Sequence, residues 1–153
     1  MSTARPDRLV VVTGTGEDEA ALRAMAADLP QVRFAGHVSD EALAALYAEA
    51  IAVVYCPLRE DFGLVCVEAF ASGKPVITCT DSGEPARLVE PGVNGWVVPP
   101  EPAAMAAVLD SAVADEATVR GLGQRGRAVA AAITWDRVCG RLLAPLNASM
   151  RAG

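Results

Sequence analysis

The sequence predicts an α/β fold: a Rossmann-like, three-layer α/β/α arrangement in which helices cover both faces of a parallel sheet. Two observations predict it. Apolar runs bounded by turn residues, such as RLVVVTG at 8–14, read as buried strands. Longer segments with helical patterns alternate with these runs. Strands that alternate with helices form right-handed βαβ units, and these build a parallel sheet.

The predicted elements follow one another without a long linker. Strands are predicted at 8–14, 32–36, 51–57, 74–80 and 95–100. Helices are predicted at 17–29, 40–50, 63–72, 85–89, 102–114, about 117–131 and 134–148. Ser39 and Thr134 have side chains suited to cap the helices that follow them. The 153 residues therefore predict a single domain, 1–153.

Composition limits the partners of the chain. There are 19 acidic and 13 basic residues, the formal net charge is −6, and no basic run occurs, so no nucleic-acid partner is expected. The four cysteines form no C-x-x-C pair, which predicts small buried thiols in a reducing compartment and no metal site. With no signal peptide and no membrane span evident, we expect a cytoplasmic protein, and peripheral membrane association stays open.

Four loops follow the predicted strands at their carboxyl ends, where parallel sheets bind ligands. They read TGTG (13–16), GHVS (36–39), PLREDFG (57–63) and TDSGEP (80–85). We expect all four to face one crevice.

Two glutamates, Glu60 and Glu68, bracket the start of the helix predicted near Gly63. The free N–H groups of such a helix end favour an anion such as phosphate, and glycine lets it approach the backbone. Carboxylates beside an anion would instead accept hydrogen bonds from hydroxyl groups, so the stretch suits a nucleotide sugar. The alternative is that Glu60 is a solvated loop acid and Glu68 a surface position. The helix, LVCVEAFA, is apolar nearly all round, which predicts a buried acid in need of a polar partner.

Other candidate residues have simpler interpretations. His37 is the chain's single histidine and stands in a loop, so a packing role is favoured over catalysis. Lys74 precedes Pro75 where a phosphate loop would need Ser or Thr, so it is interpreted as a turn residue.

Three stretches, in this order, resemble one family: E-x-F-G-L at 60–64, EA-x-A-x-G-x-P-V-I at 68–77 and GVNGWVVPP at 92–100. They are similar to the C-terminal, donor-binding domain of retaining glycosyltransferases with the GT-B fold, glycosyltransferase family 4 (glycosyl transferases group 1). The resemblance covers nearly the whole chain.

The resemblance implies transfer of a hexosyl group from a UDP-, GDP- or ADP-linked sugar with retention of configuration, without a metal or other cofactor. Glu60 would be the catalytic residue that holds the sugar hydroxyls, and Glu68 would hold the ribose. The resemblance further implies donor-binding roles for Phe62, Gly63, Leu64, Gly14, Gly16, His37 and Val38, the last two through main chain near the base.

The chain also departs from the family. Relatives supply an Arg and a Lys to the diphosphate from a first strand and helix upstream of GTG, and only 13 residues precede Gly14 here. We therefore expect that strand and helix, and the N-terminal acceptor domain, to be missing, and no turnover by the isolated chain. A separate chain could supply the missing parts. Alternatively, the protein is a non-catalytic nucleotide-sugar-binding or interaction module.

A second departure concerns the loop at 83–87. Relatives often read GGPxE there, and this chain has Glu84 at the second glycine and Arg87 at the acid. The glutamate puts a close backbone approach at this loop in doubt. Arg87 could lie near the phosphates or pair with Glu84, and the sequence leaves both open.

Overall fold

The computed structural model describes residues 9–151, which form parallel strands alternating with helices and then a run of three helices. The strands are β1 (Val10–Thr13), β2 (Val32–Gly36), β3 (Val53–Val54), β4 (Val76–Cys79) and β5 (Gly95–Val98). The helices are α1 (Glu19–Met25), α2 (Asp40–Glu49), α3 (Leu64–Ala71), α4 (Pro85–Leu88), α5 (Pro102–Ala114), α6 (Glu116–Ala131) and α7 (Trp135–Arg151). The predicted α/β class and the predicted order of elements are confirmed.

Two compact units divide the chain, one ending at Leu46 and the other beginning at Tyr47. The strands follow this division: β1 pairs with β2, and β3, β4 and β5 form a three-stranded sheet with β4 in the middle. The single domain expected over 1–153 stays a prediction.

The first unit is built on the β1–β2 pair. Val10 lies opposite Val32 and Thr13 opposite Gly36, with a shift of register between Val12 and Thr13. Ser39 caps α2 as predicted, because its Oγ accepts a hydrogen bond from the Ala42 N–H at 3.3 Å.

The second unit contains the hydrophobic core. All four residues of β4 are buried, and β3 and β5 flank it in parallel. Helix α3 packs on this sheet, and its Cys66, Ala69 and Phe70 join Val76 and Val89 in one buried cluster.

Helix α6 packs closely against α3 because glycines face the contact. A Cβ at Gly126 would lie 2.6 Å from Phe70 Cδ1, and one at Gly123 would collide with the Gly73 carbonyl. Arg127 also donates to the Ala71 carbonyl at 3.2 Å. The α3–α6 pair thus fixes the far end of the helix that begins at Gly63.

Strand β3 is shorter than the predicted 51–57. It pairs with β4 alone, and beyond its two ladder residues only Tyr55 N–H continues the pairing, to the Ile77 carbonyl at 2.9 Å. Pro57 then ends it because proline has no N–H to donate.

Helix α7 begins where the sequence predicts. Thr134 Oγ1 accepts from the Arg137 N–H at 3.3 Å, which confirms the predicted cap. No helix within residues 9–151 combines the length and apolarity that crossing a bilayer requires.

The expectation of four buried cysteines is wrong for two of them. Cys66 and Cys79 are buried, whereas Cys56 and Cys139 are exposed, and all four are free thiols. Cys56 stands at the open carboxyl end of β3, and Cys139 lies on α7, where every side chain from 135 to 144 is exposed.

Candidate functional site

The loop that carries Glu60 is clamped to the loop after β4 by backbone hydrogen bonds. The N–H groups of Arg59 and Glu60 donate to the carbonyls of Asp81 and Ser82 at 3.1 and 3.0 Å. In return, the Glu84 N–H donates to the Glu60 carbonyl at 2.9 Å. Arg59 adopts a left-handed conformation with φ of 55°, which is rare for a residue with a side chain. The backbone of Glu60 is therefore held on both sides.

Gly83 makes the close approach in this loop. It has a φ of 80°, and a Cβ there would lie 2.5 Å from the Glu60 carbonyl oxygen and 2.8 Å from its nitrogen. The glutamate at position 84 therefore leaves the close approach in place, because the preceding glycine makes it.

Gly63 forms the N-cap of α3 with a left-handed φ of 79°. A Cβ at this position would lie 2.7 Å from Pro85 Cγ, so a glycine is needed for space as well as for conformation. No side chain caps the helix. Gly63 itself is buried, whereas the side chain of Leu64, the first helical residue, is 65% exposed.

Helix α3 has a buried face and an exposed face, although seven of its eight residues are apolar. At about 100° per residue, Cys66, Ala69 and Phe70 share the buried face, while Leu64 and Glu68 lie on the opposite side. Glu68 is exposed, so the expectation of an acid buried in an apolar helix is wrong. The exposed side chains near the start of α3 are those of Leu64, Glu68 and Phe62, the last of which is 45% exposed.

Each glutamate of the pair accepts a hydrogen bond from a tyrosine. Tyr47 Oη donates to Glu68 Oε2 at 3.0 Å, and Tyr55 Oη donates to Glu60 Oε2 at 3.3 Å. The Phe62 N–H donates to the other oxygen of Glu60 at 3.5 Å. The sequence reasoning missed both tyrosines, because neither belongs to a recognisable pattern; the one available signal is that the chain has two tyrosines in all.

The two tyrosines keep their protons more firmly than a free tyrosine. Burial raises the pKa of Tyr47 well above its ordinary value, and the hydrogen bond and charge of Glu68 raise it further. Burial also raises the pKa of Tyr55, with the charge of Glu60 adding to the effect. Both hydroxyls are therefore donors at neutral pH.

An open cavity of about 470 Å³ lies beside Glu60. The residues that line it include the acidic Asp61 and Glu84 and the basic Arg59 and Arg87. A mixture of acidic and basic groups is suited to hydroxyl-rich ligands, because hydroxyl groups both donate and accept hydrogen bonds.

Arg87 pairs with Glu84, which is one of the two alternatives, and a role near the phosphates stays a prediction. Its Nη1 lies 3.4 Å from Glu84 Oε2, and its side chain is 82% exposed. Lys74 is in the turn after α3, as predicted, and its Nζ donates to the Ala48 carbonyl at 2.8 Å.

The remaining predicted site residues belong to the first unit. Gly14 and Gly16 follow β1, and His37 and Val38 follow β2, so parallel pairing places both loops at one end of that strand pair. The Gly14 N–H donates to the Gly36 carbonyl at 2.8 Å, and His37 is exposed. The common crevice expected for all four loops stays a prediction, as does a reaction without a metal.

Comparisons with known proteins give the family. A family model described as glycosyl transferases group 1 matches residues 2–129. The GDP-mannose-dependent alpha-mannosyltransferase of Mycolicibacterium smegmatis is 34% identical over 142 residues, which are 92% of this chain and 36% of that protein. The D-inositol 3-phosphate glycosyltransferase of Streptomyces avermitilis is 33% identical over 122 residues, 79% of this chain and 26% of the relative.

Solved structures of glycosyltransferases are also similar to this chain. The chain is similar to Anabaena Alr3699/HepE in complex with UDP-glucose, with a TM-score of 0.77 and 26% identity, over 95% of this chain and 42% of that one. The fold is therefore that of part of a GT-B glycosyltransferase, and the chain spans well under half the length of each of these three proteins. Because the family model matches most of its residues, the chain belongs to the glycosyl transferases group 1 family.

Proposed function

We propose that this chain binds the nucleotide-sugar donor of a retaining glycosyltransferase that transfers a hexosyl group to an acceptor. One observation carries the proposal: Glu60 and Glu68 flank the start of α3, which has no side-chain cap and begins at a glycine packed against Pro85. An uncapped helix start attracts phosphate, and carboxylates on either side accept hydrogen bonds from hydroxyls. A nucleotide sugar has its diphosphate between two polyols, in the same order.

Each residue has a role in this proposal. Glu60 is the catalytic residue in the sense that it contacts the transferred sugar, whose hydroxyls extend into the cavity beside it. Glu68 accepts from the ribose. The backbone of Phe62, Gly63 and Leu64 lies along the sugar and the diphosphate.

The roles proposed for the first unit rest on the resemblance to the family. Gly14 and Gly16 allow close approach of the donor to the backbone after β1. The main chain at His37 and Val38 meets the base.

The reaction exchanges one bond at the anomeric carbon for another. The bond between C1 of the sugar and the diphosphate oxygen breaks, the acceptor oxygen bonds to C1 on the same face, and the acceptor hydroxyl gives its proton to the departing diphosphate. The diphosphate leaves with both electrons of the broken bond. In this proposal the N–H groups and the dipole of the helix start stabilise that charge.

The donor is an NDP-sugar of a kind that the relatives suggest. One relative is named for its dependence on GDP-mannose, and one similar structure contains UDP-glucose. Both molecules fit the same chemistry of two hydroxyl-rich groups about a diphosphate.

Saturation-transfer NMR tests the proposal on the 153-residue chain, since it detects weak ligands. UDP-glucose, GDP-mannose and ADP-glucose are offered in turn, with free glucose as the control. We expect saturation of ribose and hexose protons for at least one nucleotide sugar and none for glucose. No saturation of any nucleotide sugar would contradict the proposal.

A separate chain that carries the acceptor domain stays a prediction, and so does cytoplasmic location. Donor-dependent transfer on mixing the two chains would support the partner. Transfer by this chain alone would contradict it, and binding without transfer in every mixture would favour the non-catalytic module.

A further inference from the structure

We propose that Tyr47 and Tyr55 are positioning residues that orient Glu68 and Glu60 for the hydroxyl groups of the donor. This inference rests on the proposed function. Its basis is a one-to-one arrangement: the chain has two tyrosines, and each donates its hydroxyl proton to one glutamate of the pair.

Tyr47 reaches Glu68 from the last turn of α2. Its ring packs against the core cluster, and the neighbouring Ala48 carbonyl accepts from Lys74 Nζ at 2.8 Å. The phenol is therefore fixed by the core on one side and by the turn after α3 on the other. Glu68 itself is exposed, so without this contact its carboxylate would rotate freely in solvent.

Tyr55 reaches Glu60 from the end of β3. Its backbone pairs with β4 through the Ile77 carbonyl at 2.9 Å, and its ring also packs against the core cluster. Glu60 is held at its backbone by the loop after β4, and the direction of its carboxylate is set by Tyr55 together with the longer hydrogen bond from the Phe62 N–H.

The arrangement uses one oxygen of Glu68 and, with the Phe62 N–H at 3.5 Å, both oxygens of Glu60, and it leaves acceptor capacity for a ligand on each carboxylate. Tyr47 and Tyr55 each occupy an Oε2, and a carboxylate has about four acceptor sites on its two oxygens. A carboxylate whose rotation is already restricted loses less entropy when a hydroxyl binds to it. The expected consequence is tighter binding of the donor part that each glutamate contacts.

The test is a calorimetric titration of the chain and of Tyr47→Phe and Tyr55→Phe with UDP, GDP, UDP-glucose and GDP-mannose. Phenylalanine keeps the ring in the core and removes only the hydroxyl. We expect Tyr47→Phe to weaken the binding of the nucleoside diphosphates and of the nucleotide sugars alike, by about three- to tenfold. Tyr55→Phe should weaken the binding of the nucleotide sugars only, because in the proposed site Glu60 contacts the sugar and not UDP or GDP.

The double variant Tyr47→Phe/Glu68→Gln adds a second criterion. If Tyr47 acts through Glu68, the double variant binds UDP and GDP no more weakly than Glu68→Gln alone. A purely structural role would weaken both ligand classes equally in both tyrosine variants, and that result would overturn the inference. So would unchanged binding by both variants. If the wild-type chain binds none of the four ligands, the proposed function fails and the inference fails with it; wild-type binding with unchanged variants overturns the inference alone.

Discussion

Gly83 lies against the backbone of Glu60, so close that a methyl group on it would come within 2.5 Å of the Glu60 carbonyl oxygen. The loops after β3 and β4 meet at this contact, and the backbone position of a proposed ligand-binding glutamate depends on it.

Gly83→Ala should therefore destabilise the chain by about 3 kcal/mol or more, because the methyl must displace backbone as well as adopt a left-handed φ. Gly92→Ala is the matched control. Its φ is 74°, but nothing lies within 4 Å of the added carbon, so only the conformational cost of about 1 kcal/mol applies. Urea unfolding of the two variants measures the difference, and equal losses would contradict the close approach.

Two glycines of α6 should respond to alanine in opposite directions. Gly123→Ala should cost about 3 kcal/mol because its methyl would meet the Gly73 backbone. Gly121→Ala should stabilise by about 0.5–1 kcal/mol through helix propensity, because only the flexible Arg125 side chain lies near it. Thermal unfolding compares them. Unchanged or increased stability of Gly123→Ala would contradict the close packing of α6 on the Gly73 backbone.

The raised pKa values of the two tyrosines predict that the stability of the fold decreases at alkaline pH. Burial and Glu68 raise the pKa of Tyr47 in the folded state, so its contribution to stability is fully present below the ordinary tyrosine pKa of about 10 and is lost as the pH rises further. Ultraviolet titration should show tyrosinate forming at higher pH in the folded chain than in urea. Tyr47→Phe should reduce the loss of stability at alkaline pH, and an ordinary titration of both tyrosines in the folded chain would argue against their hydrogen bonds to Glu68 and Glu60.

Arg87 should contribute little to either stability or donor binding. Its ion pair with Glu84 is exposed, and exposed pairs are worth about 0–1 kcal/mol. We expect Arg87→Ala to bind UDP within about twofold of the wild-type affinity. A loss of about tenfold, measured by calorimetry, would show that Arg87 leaves Glu84 for the diphosphate when the ligand binds.

Much of the fold could be predicted because alternation of apolar runs and helical segments depends on local sequence. Helix α5 and strand β2 have the predicted bounds, and the caps at Ser39 and Thr134 are present. The division into two sheets was not predictable from such patterns, because strand pairing depends on contacts between distant segments.

The site was predictable only in part. The proximity of Glu60 to the start of α3 follows from spacing along the chain. The exposure of Glu68 was missed because a count of apolar residues ignores their angular position around the helix. Tyr47 and Glu68 are 21 residues apart, and no local rule relates them. The left-handed φ of Arg59 was equally unpredictable, since arginine carries no signal for that conformation.

The most direct test of the central claim, that this chain binds a nucleotide sugar through its paired glutamates, is a calorimetric titration of wild type, Glu68→Ala and Glu116→Ala with UDP-glucose and GDP-mannose. Glu116 is an exposed glutamate of α6, so its variant has the same change of charge without a ligand role. The account predicts that Glu68→Ala binds about tenfold more weakly than wild type and that Glu116→Ala stays within about twofold. Equal binding by wild type and Glu68→Ala would contradict it.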